Sequence, residues 1–165
     1  MGYSIEELNQ VSEAVFVQRL GAVFEETPAI AHRVWGDRPF GNVRDLHQKM
    51  AAVVRDMSLA EQLALIQAHP DLGSRVKMAA ASVEEQAGVG FNRLTPEEYG
   101  RFQALNATYR EKFGFPFVMA VKGQTKTNIL AAFEARLENT KDLEIQQALS
   151  EITQIARFRL NDLID

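Results

Sequence analysis

The chain of 165 residues contains no cysteine, only five prolines and a single tryptophan. The absence of cysteine excludes disulfides, thiolate nucleophiles and thiolate-bound metals. No apolar run reaches the length of a membrane span, and the first residues lack the basic and then apolar pattern of a signal peptide. The net charge of −4 does not suggest a protein that binds nucleic acid, because such a protein presents a basic surface. We therefore expect a cytoplasmic globular protein that binds neither nucleic acid nor membranes.

Signals for common cofactor sites are also missing. The three histidines, His32, His47 and His69, do not show metal-ligand spacing with a carboxylate. The sequence contains neither a glycine-rich phosphate loop nor a Gly-x-Ser-x-Gly nucleophile elbow. The sequence thus gives no indication of a metal, a bound nucleotide or a serine-hydrolase mechanism.

Helix signals, in contrast, recur along the whole chain. Four capping-box patterns are present: Ser4-x-x-Glu7, Ser58-x-x-Glu61, Ser82-x-x-Glu85 and Thr95-x-x-Glu98. Apolar residues also follow helical spacing, for example Phe102, Leu105, Tyr109 and Phe113. Convincing alternating strand patterns are absent, and a chain of this length is large enough for one core. We predict an all-α fold, a single compact multi-helix domain of about eight to ten helices over residues 1–165.

His69 stands at the predicted end of a helix, in the segment Ala-His-Pro-Asp-Leu-Gly of residues 68–73. Pro70 cannot continue an ordinary helix, and it disfavours helical backbone at His69. An imidazole on such stiff backbone is well placed for proton transfer near neutral pH. The alternative interpretation is a surface histidine at a helix C-terminus, where the helix dipole favours its charge.

Arg159 lies within the last predicted helix, roughly residues 142–163, seven residues after Ile152 and four after Ile155. At 3.6 residues per turn this spacing places it on the apolar face, whereas Arg157 points elsewhere. A charge on a buried face needs a partner. Two interpretations stay open: a salt bridge to an acidic residue or snorkelling past the helix end, and binding of an anion or carbonyl at the floor of a pocket.

Two further segments also have two interpretations each. Glu85 completes a capping box with Ser82, but the glycines at 88 and 90 argue against a long helix, so Ser82, Glu85 and Gln86 could instead face a ligand. The run Phe-Gly-Phe-Pro-Phe-Val-Met-Ala-Val of residues 113–121 either fills the core or forms a pocket wall with exposed backbone amides.

In their order and spacing, these segments resemble the 2-oxo-4-hydroxy-4-carboxy-5-ureidoimidazoline (OHCU) decarboxylase family of urate breakdown. The resemblance covers nearly the whole chain, from Leu8-Asn9 through the segments 35–40, 68–73 and 82–88 to the motif at 151–160. It implies an all-α, dimeric and cofactor-free enzyme that converts OHCU to (S)-allantoin.

The resemblance also implies which residues form the site. The catalytic group matches His69, with Glu85 and Arg159 beside it. The positions that match ligand contacts, partly through backbone in the last five, are Pro70, Ser82, Gln86, Phe117, Val118, Met119, Ala120 and Val121. Two other functions are compatible with the sequence: a non-catalytic helical module that binds a purine-derived ureide, and a scaffold whose acidic helices present a partner surface. The presence of His69, Glu85 and Arg159 together favours the enzyme.

Overall fold

The computed structural model describes residues 2–72 and 94–165. Within these ranges there are eight α-helices and no strand, which confirms the all-α prediction. The helices are α1 (Ile5–Gln10), α2 (Glu13–Leu20), α3 (Ala29–Trp35), α4 (Val43–Asp56), α5 (Leu59–Ala68), α6 (Pro96–Phe113), α7 (Lys126–Leu137) and α8 (Lys141–Leu163). None of the helices described is both long and apolar enough to cross a membrane. The assignment of residues 1–165 to one domain stays a prediction.

Polar side chains determine where several helices begin. Thr95 accepts a hydrogen bond from the Glu98 backbone, and the Glu98 carboxylate accepts one from the Thr95 backbone, so α6 begins with the predicted capping box. Ser58 and Glu61 form the same reciprocal pair at the start of α5. The pattern at Ser82 lies outside the described residues.

The described residues form two compact units. The first comprises residues up to Ala68 together with Ile152–Asp165. Its core side chains are mainly aliphatic, and the largest fully buried ones are Phe16, Leu8, Leu20, Ile30 and Leu46. An isolated parallel bridge between Tyr3 and Ile164 joins the two chain segments of this unit.

The second unit lies within His69–Glu151 and has an aromatic core. Six rings in it are buried: Phe102, Tyr109, Phe113, Phe115, Phe117 and Phe133. Tyr109 is central, because its ring lies 4.6–6.1 Å from the rings of four of the others. Burial of large rings in edge-on contact is a strong source of stability.

Helix α8 agrees closely with its predicted bounds and helical phase. Buried side chains recur at intervals of three or four residues at Ile145, Leu149, Ile152, Ala156 and Leu160, and Ala148 beside Leu149 is also buried. Arg157 is exposed, as the periodicity predicts. The phase matters because it determines which residues of α8 face the protein interior.

Candidate active site

His69 is the first residue after α5, as predicted, and only 6% of its surface is exposed. The helix ends at Ala68 because Pro70 disfavours helical backbone at the residue before it. The alternative interpretation of a surface histidine is therefore wrong. His69 is thus a buried histidine directly followed by an exposed proline.

The residues after Pro70 are anchored within the second unit. The Asp71 carboxylate accepts a hydrogen bond of 3.0 Å from the Arg110 guanidinium on α6. Leu72 is buried, with 1% of its surface exposed. The Asp71 contact thus anchors the segment after His69 to α6 within the second unit.

The aromatic run after α6 begins with a left-handed glycine. Gly114 has φ +77° and ends α6, and its N–H donates to the Arg110 carbonyl at 2.8 Å. Phe115 and Phe117 then enter the core, where the Phe117 ring stacks on Phe133 with centroids 3.8 Å apart. The core-filling interpretation is therefore correct for these rings, and Phe117 exposes none of its surface.

The backbone of residues 117–121 is held by side chains from two helices. The Val118 carbonyl accepts a hydrogen bond of 2.7 Å from Arg136 Nη1 on α7. The Ala120 N–H donates to Glu151 Oε1 on α8 at 3.0 Å. Met119, between them, is partly exposed, whereas the other four residues of the stretch are buried.

Arg136 belongs to a buried polar network that sequence reasoning missed. Its Nε donates to Glu144 Oε1 at 2.8 Å, and the Tyr109 hydroxyl donates to the same oxygen at 2.6 Å. Asn139 donates to Glu144 Oε2 at 2.8 Å. Burial, together with the hydrogen bond to Glu144, raises the pKa of Tyr109 far above its usual range, so the phenol stays protonated and donates.

The missed network had a signal in the sequence. Arg136 comes seven residues after Ile129 and three after Phe133, which places it on the apolar face of α7. Glu144 comes four residues before Ala148 on α8, on a face that is buried. Both residues therefore have the apolar-face spacing that also marks Arg159.

Arg159 forms a salt bridge to an acidic residue, as the first of its two interpretations requires. Its Nη2 donates to Glu25 Oε1 at 2.6 Å, and its Nη1 donates to the Val23 carbonyl at 3.0 Å. The side chains of Arg159 and Glu25 are 36% and 29% exposed, so the pair is less buried than the periodicity predicted. Glu25 lies in the irregular segment between α2 and α3, where no periodicity could have indicated it.

The predicted site residues thus fall into three groups. His69, Pro70 and residues 117–121 belong to the second unit, and Arg159 belongs to the first. Ser82, Glu85 and Gln86 lie outside the described residues, so their place in the site stays a prediction. Across residues 2–72 and 94–165, no cluster of three or more histidine or acidic side chains could hold a metal ion.

Comparison with known proteins gives consistent matches. The family model described as OHCU decarboxylase matches residues 9–161. The 2-oxo-4-hydroxy-4-carboxy-5-ureidoimidazoline decarboxylase of Halalkalicoccus jeotgali is 47% identical over 160 residues, which cover 97% of this chain and 91% of that protein. The uric acid degradation bifunctional protein of Bacillus subtilis is 44% identical over 162 residues, covering 98% of this chain but 33% of its own length.

A solved structure also matches the fold. The crystal structure of an (S)-allantoin synthase superposes with a TM-score of 0.82 at 30% identity. The match covers 98% of this chain and 54% of that one. Sequence and fold therefore agree on the same group of relatives over nearly the full chain.

Proposed function

Because the chain belongs to the OHCU decarboxylase family, we propose that it decarboxylates OHCU and protonates the product stereospecifically to give (S)-allantoin. The reaction is a step of urate breakdown, in keeping with the urate-degrading relative. The structural observation that carries the proposal is the burial of His69 at the end of α5, two residues before Asp71, which is bound to Arg110 on α6. A buried imidazole on backbone that is stiffened by the following proline suits delivery of a proton to one face of a ring.

The chemistry needs an electron sink, which the substrate itself can supply. Loss of CO2 breaks the bond between the ring carbon and the carboxylate and leaves the electron pair on that carbon. The C=N bond beside this carbon can accept the pair, so the reaction requires neither a metal nor an organic cofactor. The protein has to hold the carboxylate out of the ring plane and stabilise charge that moves to ring nitrogen and oxygen.

The site residues have complementary roles in this proposal. His69 transfers the proton, and Glu85 holds the imidazole and favours its protonated form. The planar guanidinium of Arg159 stabilises the developing charge by donating hydrogen bonds to paired oxygens of the substrate. The remaining substrate contacts come from Ser82, Gln86, Pro70 and the stretch Phe117, Val118, Met119, Ala120 and Val121. Gln86 suits the ureido group because its amide both donates and accepts hydrogen bonds.

A circular dichroism time course tests the proposed reaction. Hydroxyisourate and hydroxyisourate hydrolase generate OHCU in the cuvette, with and without the protein. We expect faster appearance of a single allantoin enantiomer when the protein is present. If racemic allantoin forms at the same rate with and without the protein, the proposal is contradicted. If the protein binds allantoin but does not accelerate its formation, a non-catalytic binding module is favoured.

Cofactor independence is a separate prediction. Protein dialysed against a strong chelator should keep its full rate in the same assay, because the substrate supplies the electron sink. The control is an undialysed sample of equal concentration. Activity that falls on dialysis and returns with zinc or magnesium would contradict this part of the proposal.

The proposal also includes a cytoplasmic homodimer, as the resemblance to the family implies. Size-exclusion chromatography with light scattering should give twice the mass of the single chain. A monomer mass at micromolar concentration would contradict the dimer without affecting the proposed reaction.

A further inference from the structure

The two peptide groups on either side of Met119 are each fixed by a side chain. In the first, between residues 118 and 119, the Val118 carbonyl accepts from Arg136 at 2.7 Å. In the second, between residues 119 and 120, the Ala120 N–H donates to Glu151 at 3.0 Å. Both contacts lie within the second unit.

Because peptide groups are planar, these two contacts set the directions of the backbone N–H and C=O of Met119. Both peptides are trans, and in a trans peptide the C=O and the N–H point in opposite directions. The Met119 N–H therefore points away from the Arg136 guanidinium, and the Met119 C=O points away from the Glu151 carboxylate. Neither of these backbone groups has a hydrogen-bond partner within residues 2–72 and 94–165.

Unpaired backbone groups are costly when buried, but Met119 is the partly exposed residue of the stretch. Its N–H and C=O are a donor and an acceptor on one residue. A ligand edge that carries one C=O and one N–H, as in a ureide or cyclic amide, satisfies both of them. We propose that Arg136 and Glu151 are positioning residues that turn the Met119 N–H and C=O toward the ureide or ring amide of the substrate.

The two positioning residues differ in how they can be tested. Arg136 is bound to Glu144 and lies 4.3 Å from the centroid of the Phe117 ring, so its removal would disturb the core. Glu151 is partly exposed, and its second carboxylate oxygen accepts from Gln147 at 3.1 Å. Glu151 can therefore be changed with less effect on packing, and Gln147, one turn earlier on α8, offers a matched control.

The experiment compares Glu151→Ala, Glu151→Gln and Gln147→Ala with the wild-type chain. Affinity for (S)-allantoin is measured by calorimetry, KM and kcat by the dichroism assay, and folding by thermal melts. Glu151→Ala should weaken binding and raise KM by about tenfold, the effect of one well-formed hydrogen bond. Glu151→Gln keeps an acceptor oxygen, so it should restore affinity to within about threefold of wild type. Gln147→Ala leaves the Ala120 contact in place and should stay within about twofold.

Three results would overturn the inference: wild-type affinity and KM in Glu151→Ala, equal losses in Glu151→Ala and Glu151→Gln, or an equal loss in Gln147→Ala. If Glu151→Ala melts well below the wild type, the affinity of Glu151→Asp for (S)-allantoin is measured in its place. It keeps the charge but withdraws the carboxylate by one methylene, so it should also lose affinity, and wild-type affinity in it would refute the inference.

The inference rests on the proposed function, and the same data separate the two. A wild-type chain that neither turns over OHCU nor binds (S)-allantoin would refute the function and this inference with it. A wild-type chain that does both, beside an unaffected Glu151→Ala, would refute the inference alone.

Discussion

Arg136 and Arg159 both lie on the inner faces of helices, yet their environments differ in kind. The Arg136 side chain is 8% exposed and its Nε, Nη1 and Nη2 all donate, to Glu144, to the Val118 carbonyl and to the Tyr109 hydroxyl. The Arg159 side chain is 36% exposed. Its Nη1 and Nη2 donate to Val23 and Glu25, while its Nε has no partner within the described ranges.

The difference shows what separates a structural arginine from a candidate functional one. An arginine that is 8% exposed, and whose three nitrogen atoms each donate a hydrogen bond inside the core, is held by the fold and is out of reach of a ligand. A partly exposed arginine with an unused donor can still meet an anion, and its ion pair with Glu25 adds at most about 1 kcal/mol to stability because solvent screens it. Arg136 therefore belongs to the fold, where it also holds the peptide before Met119, and we propose that Arg159 takes part in the reaction.

The largest effect should come from the buried network. Arg136→Met leaves the Glu144 carboxylate buried beside an apolar side chain, so we expect a loss of about 3–5 kcal/mol in the free energy of unfolding. Urea denaturation at pH 7 measures it. Glu25→Gln, which changes the partner of the exposed pair, serves as the control and should cost less than about 1 kcal/mol. Equal losses in the two variants would contradict the distinction.

Arg159→Lys should affect catalysis rather than folding. Lysine keeps the charge but cannot present a planar fork to paired oxygens, so we expect a loss of at least about 2 kcal/mol in transition-state stabilisation, roughly thirtyfold in kcat/KM. Arg157→Lys is the matched control on the exposed face of α8 and should stay within about 0.5 kcal/mol in both stability and catalysis. A large fall in melting temperature with kcat/KM intact would instead make Arg159 a structural residue.

The smallest effect concerns pH and Tyr109. Because the folded state raises the pKa of this phenol above its unfolded value of 10.0, the stability from its protonated form is complete below pH 10 and falls as the pH rises further. At pH 11 the loss should be about 1 kcal/mol in the free energy of unfolding. Tyr109→Phe removes the titrating group and should show a smaller decrease between pH 9 and pH 11. The same decrease in both proteins would show that other groups cause it.

Helix positions could be predicted from the sequence because their signals are local. The capping boxes at Ser58 and Thr95 and the apolar spacing of the last helix correctly indicated α5, α6 and α8. The end of α5 at His69 followed from the proline after it. These features depend on residues within one or two turns of each other, so a single sequence contains them.

Partners from distant segments could not be predicted in this way. Glu25 is 134 residues from Arg159 in the sequence, and it lies in a segment without periodicity. Glu151 is 31 residues from Ala120, and its contact is with a backbone N–H that carries no sequence signal. Tertiary packing decides which distant atom becomes the partner in such a contact. Local sequence patterns carry no information about that choice.

The rate of (S)-allantoin formation by His69→Asn tests the proposed reaction most directly. Asparagine keeps some hydrogen bonding but cannot titrate near pH 7, so the variant should fold normally and lose about three orders of magnitude in rate. The dichroism time course measures the rate, and a thermal melt confirms folding. A folded His69→Asn protein within tenfold of the wild-type rate would contradict the role of His69 as the proton-transfer group.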